Sequence, residues 1–169
     1  YQKIVKPGKA LQILLLCIVC NLLGGILAGY LVSLTSVFHN LPADHFLFTA
    51  VSGKLEKAPL QIFVEGIFAN IVVNTAVLCT LRMKDDAGKV IAMIFIIFIF
   101  AFLGFEHVIA NFSSFSLAFF ASGGTLAAMT AGNVTVNLVL ALLGNFVGGG
   151  LVIGLGYAWL NRTKSIYKD

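Results

Sequence analysis

The stretch VIAMIFIIFIFAFLGFEHVIANF, residues 90 to 112, decides the fold class. It carries no ionisable side chain before Glu106, and its length matches the roughly 20 residues that an α-helix needs to cross a hydrocarbon layer about 30 Å thick. A helix that is apolar on every face belongs in a large core or in lipid. Near its end Glu106 and His107 stand side by side, an acid and a titratable imidazole in surroundings close to hydrocarbon. Such residues cost free energy within a bilayer and therefore face protein or a water-filled cavity.

The whole chain has the same character. Of its 169 residues 59% are hydrophobic and 11% charged, and the mean hydropathy is +0.99, too apolar for a soluble domain whose surface must carry charge. The 17 glycines and 15 phenylalanines suit a membrane bundle, because glycine lets helices approach and phenylalanine is readily buried in lipid. The net charge of +4 comes from short basic clusters that flank apolar stretches, which argues against a nucleic-acid surface. Cys17, Cys20 and Cys79 lie in apolar segments and read as small hydrophobes; no disulfide framework, metal site or cofactor is expected from them.

Four spans are expected, over residues 10–35, 58–81, 90–112 and 136–160, forming a single transmembrane domain over residues 1–169. The first apolar segment is too long for the core of a signal peptide. Lys3, Lys6 and Lys9 precede the first span, Arg82, Lys84 and Lys89 lie between the second and third, and Arg162, Lys164 and Lys168 follow the fourth. Positive charge is retained in the cytoplasm, so both termini are expected there and residues 36–57 and 113–135 on the outer side. The second of these connections has no charged residue. Its Gly123-Gly124 and Gly132-Asn133 suggest a broken or re-entrant helix, tolerated at membrane depth only where protein or water satisfies the backbone.

Small residues four apart, Gly25 and Gly29, Gly144 and Gly148, and Gly150 and Gly154, predict close helix packing. Asn70 and Asn74 share one helix face, as do His107 and Asn111, and Asn137 and Asn145 fall on roughly one side of the last span. Interhelical amide bonds of about 0.6 to 2 kcal/mol explain single asparagines. The placing of His107 beside Glu106, after the aromatic run FIIFIFAFLGF (95–105), favours a functional role for it. His39, Asp44 and His45 in the first connection read as surface residues rather than a metal site. No His-Glu-x-x-His motif or nucleophile with a base points to an intramembrane hydrolase, so an enzyme is not expected.

Three segments together carry a resemblance. GFEHVIANF (104–112), GIFANIVVNTAV (66–77) and LLGNFVGGGLVIGLGYAW (142–159), in this order and at these intervals, resemble the fifth, fourth and sixth helices of the formate/nitrite transporter family of small-anion channels. The resemblance covers the chain from about Lys54 onward. It implies an all-α, aquaporin-like bundle with interrupted helices: a six-helix protomer of two inverted three-helix repeats, assembled as a homopentamer in the inner (cytoplasmic) membrane. The four spans would be its third to sixth helices, with the two upstream helices belonging to a part of the protein outside this chain.

Carried over by position, the resemblance implies that His107 is the central pore histidine, Asn70 an asparagine close to it and Phe100 part of an apolar constriction. Lys54 would give the outer vestibule positive potential. Glu106, Asn111 and Asn145 would support the framework, with Glu106 holding the interrupted helix. The expected partners are the lipid bilayer and a small monovalent anion: formate, nitrite or hydrosulfide. A bare anion entering an apolar slot loses its hydration at high cost, and burial raises the pKa of a weak acid, so passage as the neutral acid is expected. An imidazole with an ordinary pKa near 6.5 can supply a proton or a hydrogen bond at that point. The alternative is a non-transporting structural subunit of a membrane complex, discriminated by whether Lys54, Asn70, Phe100 and His107 converge on one passage.

Overall fold

The computed structural model describes residues 5–161, which are helical with no strand among them. Helix α1 (Pro7–Ser33) opens on a proline, whose fixed φ suits the first turn and whose missing N–H costs nothing there. It buries Gly25, Gly29 and Ser33, one stripe at four-residue spacing, and turns most of its leucines outward, Leu22 excepted. The glycines are needed where they stand: a Cβ on Gly29 would lie 2.7 Å from the Leu117 backbone nitrogen. Helix α5 (Val108–Ala121) therefore packs backbone to backbone on α1.

Residues 36–57, expected as an outer connection, contain a helix of their own. Helix α2 (Phe46–Leu55) is 10 residues long, about 15 Å and too short to cross a bilayer. His45 caps it, its Nδ1 accepting from the Leu47 N–H at 3.1 Å, so this imidazole serves the backbone. Phe48, Val51 and Leu55 bury one face against Phe115 and Ala118 of α5 and against Ala128.

Helix α3 (Pro59–Arg82) again starts on proline and packs on α6 (Ala131–Asn145) through Ile62, Gly66 and Ala69. Helix α4 (Asp86–Leu103) buries none of its residues. The single span expected over 90–112 is divided: α4 stops at Gly104, whose φ of 62° is the left-handed conformation that caps helices and that a Cβ disfavours, and α5 starts afresh at Val108. The break thus lies upstream of Gly123-Gly124. Those two glycines, at φ 62° and 77°, turn the chain between α5 and α6, and Gly132 sits in the first turn of α6 behind its cap Thr130.

The last span starts five residues earlier than expected and runs from Ala131 to Leu160. Its middle, Phe146–Leu155, winds as a π-helix before Gly156–Leu160 returns to α form as α7. Gly144 and Gly148 face α3 so closely that a Cβ on either would collide with the carbonyl oxygen of Phe63 or Ile67. By contrast Gly150 and Gly154 meet only their own helix.

Helices α1, α3, α4 and the α6–α7 unit are each long and apolar enough to cross a membrane. The chain is a multi-pass membrane protein with an all-α fold. Lys6 and Lys9 flank the start of α1, and Arg82, Lys84 and Lys89 the junction of α3 and α4. Lys3, Arg162, Lys164 and Lys168, on which the expected orientation also rests, lie outside the described residues.

Candidate functional site at the helix break

Breaking a helix in the membrane frees backbone groups that lipid cannot satisfy. The four residues from Gly104 to His107 show how this chain satisfies them. Lys54, on the last turn of α2, donates from Nζ to the carbonyl oxygens of Gly104 (3.2 Å) and Phe105 (3.1 Å). Lys57, between α2 and α3, reaches the Gly104 oxygen at 3.4 Å. A cation at the C-terminal end of α4 is also favoured by the helix dipole. From the other side, Asn145 of α6 accepts from the Val108 N–H at 2.9 Å and donates from Nδ2 to the oxygens of Glu106 (2.9 Å) and Gly66 (2.8 Å). One amide ties three helices together at the break.

Glu106 is fully buried and saturated. Its Oε1 accepts from Lys57 at 2.7 Å and Lys54 at 3.1 Å, while its Oε2 accepts from Asn111 at 2.7 Å and Asn137 at 3.1 Å. That fills the four lone-pair directions of a carboxylate. Asn111 also donates to Asn137 Oδ1 at 2.9 Å, and Asn137 to the Lys54 carbonyl at 3.1 Å. Lys57 has a second acid, Glu65 of α3, at 2.6 Å. Two lysines meet two carboxylates, so the cluster is neutral.

His107 is the N-cap of α5. Its Nδ1 accepts from the Ala110 N–H at 3.4 Å, which leaves Nε2 to carry the proton of the neutral ring. The ring stands edge to face with Phe100 of α4, centroids 5.7 Å apart. Asn70 donates to the Asn145 carbonyl at 2.9 Å and accepts from Asn74 at 2.7 Å.

The structure therefore brings Lys54, Glu106, Asn111 and Asn145 into one network and Phe100 and His107 into one contact. Asn70 joins them through Asn145. Lys54 is not a lone cation above the site, because its ammonium is held by the break and by Glu106. Three members escaped the sequence reading of the site: Lys57, Glu65 and Asn137. Asn137 had a signal in its eight-residue spacing from Asn145; Lys57 had only Glu65, eight residues on, as a hint of pairing.

Asn145→Leu is expected to lower the melting temperature of the detergent-solubilised protein sharply. Each buried backbone group left without its partner costs about 1–3 kcal/mol; the Val108 N–H and the Glu106 carbonyl both lose theirs, and the Gly66 carbonyl inside α3 loses a second bond. Asn74→Ala, which removes donors to Asn70 alone, is the milder comparison. Equal melting temperatures for the two variants would contradict the role given to Asn145.

Comparison with known proteins places these features in company. Residues 1–159 match the model of a family described as formate/nitrite transporter. The formate-nitrite transporter of Plasmodium falciparum (isolate 3D7) is 32% identical, the match covering 92% of this chain and 52% of that protein. The nitrite transporter NirC of Escherichia coli (strain K12) is 33% identical, over 74% of this chain and 46% of its own length. A solved structure described as an FNT family ion channel superposes with a TM-score of 0.83 at 25% identity, covering 94% of this chain and 62% of that one. The chain spans about half the length of these two curated relatives.

Proposed function

Because this chain belongs to the formate/nitrite transporter family, we propose that it builds part of the passage of a membrane channel for small monovalent anions of weak acids. Formate, nitrite and hydrosulfide are the substrate class. The observation that carries the reading is the contact with Phe100 of His107, next in sequence to Glu106 at the centre of a neutral ionic cluster. The cluster holds the helix break rigid, and the break presents His107 as an N-cap instead of burying it in a helix face. An aromatic ring against an imidazole makes a slot too apolar for a hydrated anion. The permeant therefore crosses as the neutral acid, accepting a hydrogen bond from His107 Nε2–H as it sheds water. No covalent bond is made or broken in the protein.

The reading extends to the assembly: a homopentamer in the inner membrane, with both ends of this chain on the cytoplasmic side where its basic residues cluster. The contact of Phe100 with His107 at the break supports a passage over a purely structural subunit, while the Lys54 ammonium and the Asn70 amide are engaged by protein groups there.

Flux through proteoliposomes of the full-length protein tests this. Formate uptake is expected to rise as pH falls from about 8 to about 5, tracking the neutral acid, and His107→Phe is expected to lose uptake roughly tenfold or to lose its pH dependence. Absence of flux in the parent, or flux indifferent to His107 in a protein that still assembles, would return the chain to the structural-subunit reading.

A further inference from the structure

The two carboxylates on the lysine pair are not equivalent. Glu106 is fully buried and bonded on both oxygens, and it cannot leave without stranding two ammonium groups and two amides. Glu65 is different. Its side chain is 21% exposed, it stands two turns into α3, and its bond to the cluster is the 2.6 Å contact of Oε2 with Lys57 Nζ. Lys57 itself is 21% exposed, so the pair sits at the accessible edge of the cluster while Glu106 sits at its centre.

A carboxylate oxygen on an ammonium is also the contact that a small free oxyanion would make there. When Glu65 swings out, Lys57 keeps Glu106 at 2.7 Å and the Gly104 carbonyl at 3.4 Å, so the ammonium stays in place with one donor direction open. The local charge then rises by one, which a monovalent anion cancels. A dianion would overshoot.

We propose that Glu65 is a tethered occupant of an anion site on Lys57, displaced by a small monovalent oxyanion such as formate or nitrite. This rests on the channel reading for its biological use, though the site is defined by Lys57 and Glu65 alone. Covalent attachment gives the occupant a high effective concentration, so the site fills only when the free anion is abundant. Glu65 thereby sets the concentration at which anions load and spares Lys57 an unpaired charge when they are scarce.

The test titrates formate against full-length protein in detergent, reading thermal stabilisation, and in parallel against flux in proteoliposomes. Glu65→Gln keeps the shape and removes the charge. It is expected to lower the half-saturating formate concentration by roughly threefold to tenfold, as for release of one partly exposed ion pair. The shift is expected to vanish when Lys57→Gln is also present, and Glu65→Ala serves if the glutamine variant assembles poorly. No shift in binding, or a shift that survives Lys57→Gln and so reflects only the general field, overturns the proposal. A parent that carries no flux but shows the Lys57-dependent binding shift leaves the site standing and removes the channel reading.

Discussion

Glu106→Leu is expected to leave little assembled protein. The substitution removes the one group that neutralises Lys54 and balances Lys57, whose side chains are 19% and 21% exposed, and it deprives Asn111 and Asn137 of a shared acceptor. Breaking a buried ion pair from one side costs about 3–5 kcal/mol, and each unmade buried hydrogen bond a further 1–3 kcal/mol or so. The sum is comparable with the roughly 5–15 kcal/mol that holds a typical domain together. Glu106→Gln, which keeps one acceptor oxygen, should fall between. Replacing all four charges at once, with Lys54→Met, Lys57→Met and Glu65→Gln added to Glu106→Leu, should recover part of the loss, since the cluster then holds no stranded charge. Yield of monodisperse detergent-solubilised protein and its melting temperature give the comparison. A Glu106→Leu protein that melts within a degree or two of the parent would mean that the ionic cluster is ornamental.

Gly148→Val is expected to come second in severity. The added Cβ would run into the Ile67 carbonyl, a backbone atom that cannot rotate aside, so α3 and the last span must move apart. Overpacking usually costs about 1–3 kcal/mol, and more where backbone meets backbone. Separation here also loosens Ile62 and Gly66 from Ala141 and lengthens the Asn70–Asn145 bond. Gly24→Val is the control, because a Cβ at that position meets nothing within 4 Å. A drop in melting temperature of several degrees for Gly148→Val, with Gly24→Val near the parent, is the expected pattern. Equal effects would place the glycine requirement in the helices themselves rather than in their contact.

What could be read from the sequence divides along a physical line. Helices long enough to span lipid announce themselves, because every turn must be apolar. Intramembrane Glu106, His107, Asn111 and Asn145 stand out equally, since each needs a partner. The position of the break stood out only through the resemblance, which had Glu106 holding an interrupted helix, while the residues themselves pointed to Gly123-Gly124. Gly104 is one glycine in an aromatic run, and its left-handed conformation suits the site because Lys54 and Lys57, some fifty residues earlier, donate to the carbonyl it leaves unpaired. The same separation hid α2, whose ten residues bury a face only after α5 supplies Phe115 and Ala118. Lys57 read as a flanking charge for a like reason: sequence marks a basic residue at a helix start, and only packing turns it inward.

The π-wound segment Phe146–Leu155 carries one more implication, for angular phase. Each of its turns closes on the fifth residue ahead instead of the fourth, so it holds more residues than the 3.6 of an α turn, and across ten residues the helix lags steadily behind an unbroken α winding. Side chains beyond Leu155 emerge at azimuths that a wheel drawn from Ala131 would assign to a different face. Tyr157 is one of them: at its actual phase its hydroxyl meets Arg82 at the end of α3, with the guanidinium 5.4 Å over its ring. A one-residue deletion within the segment would re-index every contact downstream, the Tyr157–Arg82 contact included, while leaving the apolar composition nearly untouched.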